Sequence, residues 1–229
     1  MATQLDLQEQ EQLDALKAFW NKYGNLVTGV LLLVAGSYAG WQGWQYWQRE
    51  QGLKAAAIFE QIDQSAAAGN AERAGSLLAD LQQRYGGTAY AQQGALMAAK
   101  VQFEKGKADA AKASLAWAGA NGPDAELKTI ARLRLAALQA ESKQFDEALK
   151  TLDAAQSAEF AHLVADRRGD VLMLQRKRAE AVAAWQAAWA AMTDKQDYRR
   201  IVEAKLTAAG AAPAPAPATA ASAAAAGAK

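Results

Sequence analysis

Ala165-Asp-Arg-Arg-Gly169-Asp-Val-Leu172 is followed, after a short basic joint, by Ala181-Val-Ala-Ala-Trp185-Gln-Ala-Ala188. Its small residues at Gly169, Ala181 and Ala188, with bulky Trp185 between the last two, suit a pair of helices that cross closely and fill one large gap. The same series stands 33 residues earlier as Ala136, Ala148, Leu152 and Ala155, and a further 37 earlier as Ala99, Ala111, Leu115 and Ala118. A fourth, degenerate copy lies at Ile62, Ala74, Leu78 and Leu81, as expected of a terminal unit with one neighbour. The longer step places its extra residues at Asn121 to Asp124, where a loop tolerates them.

Working outward, apolar residues at helical spacing fall into pieces separated by Gly69-Asn70, Gly86-Gly-Thr88, Lys105-Gly-Lys107, Asn121-Gly-Pro-Asp124, Ser142-Lys-Gln144 and Arg176-Lys177. Glycine and asparagine end helices in the left-handed conformation, and proline starts them. The reading is all-α: a tetratricopeptide-like right-handed α-solenoid of about four helical hairpins. Each hairpin exposes an apolar face that only its neighbour can bury. Alanine-rich chains satisfy small-residue positions easily, so an irregular alanine-rich bundle is the competing reading.

Ahead of the repeats, no residue from Tyr23 to Gln48 carries a formal charge. About 20 such residues in a helix span a hydrocarbon core of about 30 Å. Trp20 and Tyr23 flank one end and Trp41, Trp44, Tyr46 and Trp47 the other, the two aromatic belts of a membrane-spanning helix. Ser37-Tyr-Ala39 resembles a signal-peptide cleavage pattern. The leader opposes it: a secretory n-region is short and basic, whereas residues 1 to 22 hold Asp6, Glu9, Glu11 and Asp14 against Lys17 and Lys22. The expected layout is a cytoplasmic tail over 1–22, an uncleaved single-pass helix over 23–48, a repeat domain over 49–207 outside the inner membrane, and a disordered Ala/Pro-rich tail over 208–229.

Composition removes whole classes of function. The 25 basic and 24 acidic residues leave a net charge of +1, without the global pull that nucleic-acid binding uses. With no cysteine and His162 the one histidine, thiolate chemistry is excluded and a histidine metal cluster cannot form. No phosphate-binding glycine loop follows a strand. Arg167-Arg168 and Arg176-Lys-Arg178 read as solvated faces. No catalytic residue and no cofactor is expected.

Gly43-Trp-Gln-Tyr-Trp47, Leu133-Arg-Leu-Ala136, Lys143-Gln-Phe-Asp-Glu-Ala-Leu-Lys-Thr-Leu-Asp153 and Val164-Ala-Asp-Arg-Arg-Gly169 carry a resemblance to the YfgM family, ancillary subunits of the bacterial SecYEG translocon. The layout resembles that family to about residue 206, and the alanine-proline tail departs from it. The resemblance implies a bitopic inner-membrane protein whose periplasmic repeats associate with the translocon and with PpiD, a membrane-anchored chaperone, and hand over secreted proteins. A signalling adaptor whose cytoplasmic tail docks a regulator is the alternative. Counting from Ala99, Ala136 and Gly169, the expected protein-binding wall comprises Phe59, Leu96, Lys100, Phe103, Leu133, Asp166, Asp170 and Met173. Unfolded secreted segments would be the ligands there, unless a capping helix over Tyr198 to Leu206 or the tail folds back and buries those positions as ordinary core.

Overall fold

The computed structural model describes residues 7–193 and 197–211, with side chains from residue 11 onward. Among the described residues the regular structure is helical: α1 (Leu7–Ala67), α2 (Ala71–Tyr85), α3 (Ala89–Glu104), α4 (Ala108–Ala120), α5 (Ala125–Glu141), α6 (Phe145–Asp153), α7 (Ala161–Leu174), α8 (Arg178–Ala190) and α9 (Arg199–Ala208). Two compact units divide at Gln51 and Gly52. The expected boundary at residue 48 falls inside α1, because helical sequence continues through it unbroken to Ala67. The expected tail lies outside the described residues from 212 onward, while α9 and the turn after it are ordered to Ala211.

In the first unit α1 exposes its large apolar side chains. Leu26, Leu31, Leu32, Leu33 and Val34 all face outward, and this helix alone among the described residues is long and apolar enough to cross a membrane. Phe19 lies 5.2 Å from Tyr23, and Trp44 lies 5.4 Å from Trp47, centroid to centroid. At about 1.5 Å per residue, Tyr23 and Trp44 are roughly 32 Å apart along the axis, the thickness of a hydrocarbon core.

The second unit stacks α1's end with α2, then α3 with α4, α5 with α6, and α7 with α8. The core falls into three clusters along the stack, the first joining Ala55 and Ile62 to Leu78, Leu81, Leu96, Val101, Leu115 and Leu135. The second holds Ala136, Leu152 and Val171 and the third Leu172, Trp185, Val202 and Leu206, with Leu149 packed against both. A left-handed residue closes each first helix: Gly69 (φ 68°), Gly106 (73°), Lys143 (62°), Arg176 (63°) and Gly210 (65°). The next residue donates its N–H back five positions each time, from Asn70 to Ser65, Lys107 to Gln102, Gln144 to Gln139, Lys177 to Leu172 and Ala211 to Leu206, at 2.8–2.9 Å. These bonds are Schellman closures, which satisfy carbonyls the helix end leaves free.

That recurrence shows what α9 is. The 33-residue step from Ala136 to Gly169 recurs from Gly169 to Val202 on α9. α9 therefore stands where the first helix of a fifth hairpin would, the final helix among the described residues. The insert at Asn121 to Asp124 is also more than slack. Buried Gln92 on α3 donates to the Asp124 carbonyl at 3.1 Å and accepts from the Asp124 N–H at 3.0 Å, while the Asp124 carboxyl caps α5 through the N–H groups of Glu126 and Leu127, both at 2.9 Å.

The joint between α6 and α7, residues 154–160, carries no glycine or proline and is not among the expected breaks. Contacts from elsewhere end α6 instead. Arg132 on α5 donates to the Ala154 carbonyl at 2.5 Å, and Arg168 on α7 pairs with Asp153.

Candidate protein-binding surface

The crossing residues lie where close approach is needed. Ala99, Ala111, Leu115, Ala136, Ala148, Leu152, Gly169, Ala181, Trp185 and Ala188 are all buried. A Cβ at Gly169 would overlap the Trp185 indole, so the absent side chain on α7 is the space the indole fills.

The expected binding wall separates into three kinds of position. Phe59, Leu96, Leu133 and Asp166 share one place, three residues before the crossing, and none forms an open wall. Phe59 is half-buried, its ring 5.8 Å from Tyr90 on α3. Leu96 is buried in the cluster that holds Ala131 and Leu135 of α5, and Leu133 packs against the cluster that holds Val164 and Val171 of α7. Asp166 is 1% exposed beneath α9. This flank of each first helix faces the next first helix, so burial there is a consequence of stacking.

One position past the crossing, Lys100 is exposed and Asp170 half-buried. Four past it, Phe103 is 41% exposed, whereas Met173 is half-buried against the cluster around Trp185. The face left outward runs along Gln93, Lys100 and Glu104 on α3, with Met97 half-buried between them. It continues over Arg134 and Glu141 on α5 and Leu174 on α7, with Ile130, Ala137, Leu163, Arg167 and Asp170 half-buried along it. Leu174, 57% exposed, belongs to this face and is not among the expected residues. Its signal was the seven-residue reach of the stripe from Arg167, with the step of four from Asp170. Lys100, Arg134 and Arg167 balance Glu104, Glu141 and Asp170, so the face has no net sign.

The two aspartates do not form a free acidic patch. Asp166 accepts from the Tyr198 hydroxyl at 2.7 Å and from the Lys205 ammonium at 2.8 and 2.7 Å. Asp170 pairs with Lys205 at 2.7 Å and accepts from the Trp185 indole N–H at 3.2 Å. Partial burial, then the hydrogen bond to Asp166, pushes the Tyr198 phenol well above its ordinary range, because phenolate would be desolvated beside a carboxylate.

Three members of the basic cluster are likewise engaged. Arg168 pairs with Asp153, Arg167 lies 3.8 Å from Asp170, and Arg178 donates to the Ala209 carbonyl at 2.7 Å. Glu126 is held above the usual carboxyl range, first by the charge of Glu159 and then by a hydrogen bond to it. No group of three or more His, Asp or Glu among the described residues could hold a metal ion. His162 is half-buried on α7.

In the anchor unit Trp20, Tyr23, Trp41, Trp44, Tyr46 and Trp47 are exposed, and the Lys22 ammonium stands 5.3 Å from the Tyr23 ring centroid. Stacked antiparallel hairpins of this register define a tetratricopeptide-like helical repeat protein, and the tetratricopeptide repeat-like domain family matches residues 17–211. An ancillary SecYEG translocon subunit of Neisseria gonorrhoeae is 32% identical over 206 residues, covering 87% of this chain and 96% of that protein. Proteins of the same description from Escherichia coli and Haemophilus influenzae are each 30% identical, over 78% and 72% of this chain and 86% and 80% of their own lengths. The chain belongs to the YfgM family of ancillary SecYEG translocon subunits.

Proposed function

We propose that this chain is a non-enzymatic subunit that associates with the SecYEG translocon and offers its repeat stack to proteins emerging there. The observation that carries the reading is likeness to translocon subunits along nearly their whole length, anchor and repeats together. The helix over 23–48 holds the protein in the inner membrane. The N-terminus lies in the cytoplasm and the repeats in the periplasm. Anchoring raises the local concentration of the stack at the channel, so weak individual contacts suffice.

The outward face of α3, α5 and α7 is the binding surface in this reading. Leu174 on this face and exposed Phe103 beside it offer apolar anchors among balanced charges, a combination suited to extended segments of varied sequence. PpiD, the membrane-anchored chaperone, takes clients onward. Photo-crosslinkers at Lys100, Arg134 and Leu174 in intact membranes should capture translocon subunits, PpiD and exported chains, whereas one at Glu203 on α9 should not. Capture that is equal at all four sites would refute the assignment of the face. Protease added to spheroplasts should digest the repeats and leave a small protected N-terminal fragment. Loss of translocon association on removing residues 1 to 22 would point instead to a cytoplasmic docking role.

A further inference from the structure

Each first helix of the stack offers a flank to its successor. In two internal hairpins the residue at that place is leucine, Leu96 on α3 and Leu133 on α5. In the fourth hairpin it is Asp166, which at 1% exposed is more hidden from water than either leucine. A buried carboxylate where a leucine would serve is costly unless its partners are supplied. Here α9 supplies them, Tyr198 and Lys205, seven residues apart and so on one side of the helix. Lys205 also reaches Asp170. The apolar part of the seat is ordinary, Val202 and Leu206 against Ala181, Trp185 and Ala188, and would accept many amphipathic helices.

We infer that Asp166 is a selectivity residue that closes the stack: the last stacking face accepts α9, which brings a hydroxyl and an ammonium, and refuses an apolar helix, including one from a second copy of this chain. Leucine at the same place would leave the face open to any helix with an apolar stripe. The charge discriminates against wrong occupants because they would leave it buried and unpaired.

The test uses the full chain in detergent micelles, reading hydrogen exchange over residues 199–208 and oligomeric state by sedimentation. Lys205→Met strands Asp166, so exchange in α9 should rise roughly tenfold or more. Asp166→Leu combined with Lys205→Met replaces the ion pair with an apolar one and should restore protection to within about threefold of the unchanged chain. Val202→Ser with Leu206→Ser lifts α9 without touching the aspartate. That variant should keep the parent's oligomeric state, and adding Asp166→Leu should make it self-associate. Unchanged exchange in Lys205→Met, failure of the double change to restore protection, or identical association behaviour with and without Asp166 would each overturn the inference. Circular dichroism on every variant distinguishes lifting of α9 from loss of the stack.

Discussion

The anchor and the repeats are both helical and both rich in apolar residues, yet they place them oppositely. Leu32 in the anchor is 69% exposed, and Leu152 in the third hairpin is 1% exposed. In the anchor the large side chains point outward and every glycine but Gly24 leaves open space, with nothing near a Cβ at Gly29, Gly36, Gly40 or Gly43. In the repeats small residues sit innermost and let backbones approach, and a Cβ at Gly169 meets Trp185. The difference teaches that helix content alone says nothing about solvent. An apolar helix without a protein partner needs lipid, whereas an alanine-lined one needs another helix.

The strongest way to break this comparison is to truncate tryptophan in both regions. Trp185→Ala should cost about 3–5 kcal/mol in the repeats, by leaving a cavity over Gly169. Trp44→Ala, in the exposed belt, should leave the melting of the repeats unchanged. Thermal denaturation of both variants in the same detergent decides it, and equal effects would mean that one environment has been misread.

The second test turns on solvent. Leu32→Arg places a charge at the middle of the uncharged run and should disfavour insertion by about 2.5–3.5 kcal/mol, moving protein from the membrane fraction to the soluble or aggregated one. Leu152→Arg should instead unfold the repeats and leave membrane partition unaltered. Fractionation with carbonate, scored beside circular dichroism, separates the two outcomes.

A smaller effect sharpens the account of the turns. Lys143 and Arg176 hold the left-handed place that Gly69, Gly106 and Gly210 hold elsewhere. Relief of the Cβ clash favours glycine there, and the looser unfolded chain opposes it. Arg176→Gly should therefore raise stability by about 0.5 kcal/mol, measured by urea denaturation; a clear loss would show that the Arg176 side chain makes a contact worth more than the strain.

The smallest is a pH effect at α9. Because the Tyr198 phenol is raised in the folded state, its contribution is fully present below the ordinary tyrosine range near pH 10 and is lost as pH rises toward the higher folded value. Exchange of α9 amides, corrected for intrinsic rates, should accelerate above pH 10. Tyr198→Phe should remove this part of the alkaline dependence, and an identical profile in both proteins would refute it.

Much of this fold was legible in the residues, because close crossings demand small side chains and a bilayer demands an uncharged run. The first-helix turns were legible too, even where Lys143 and Arg176 replace glycine, since polar joints interrupt the apolar pattern there. The break between α6 and α7 was not, because Arg132 and Arg168 end α6 from other helices and leave no local mark. Surface positions were harder. Counting from the crossing identifies a helix flank, but whether Leu96 or Asp166 meets solvent depends on the helix that follows. Asp166 looked exposed because aspartate usually is; its partners stand 32 and 39 residues away. Gln92 was missed for the same reason, its carbonyl and amide being spent on the loop at Asp124.

Stacking in chain order also has a kinetic meaning. The helices of the repeat unit meet their immediate successors, and the first helices meet the next first helices, α3 with α5 and α5 with α7. Little loop closure is needed before a contact forms, so folding belongs to the fast, local regime. A chain delivered from its N-terminus can add each hairpin to the one already formed, without waiting for residues still to come. The exception is α7: Asp166 has no counter-charge until Lys205 arrives, so the growing stack carries an unfinished, water-seeking edge until α9 is in place.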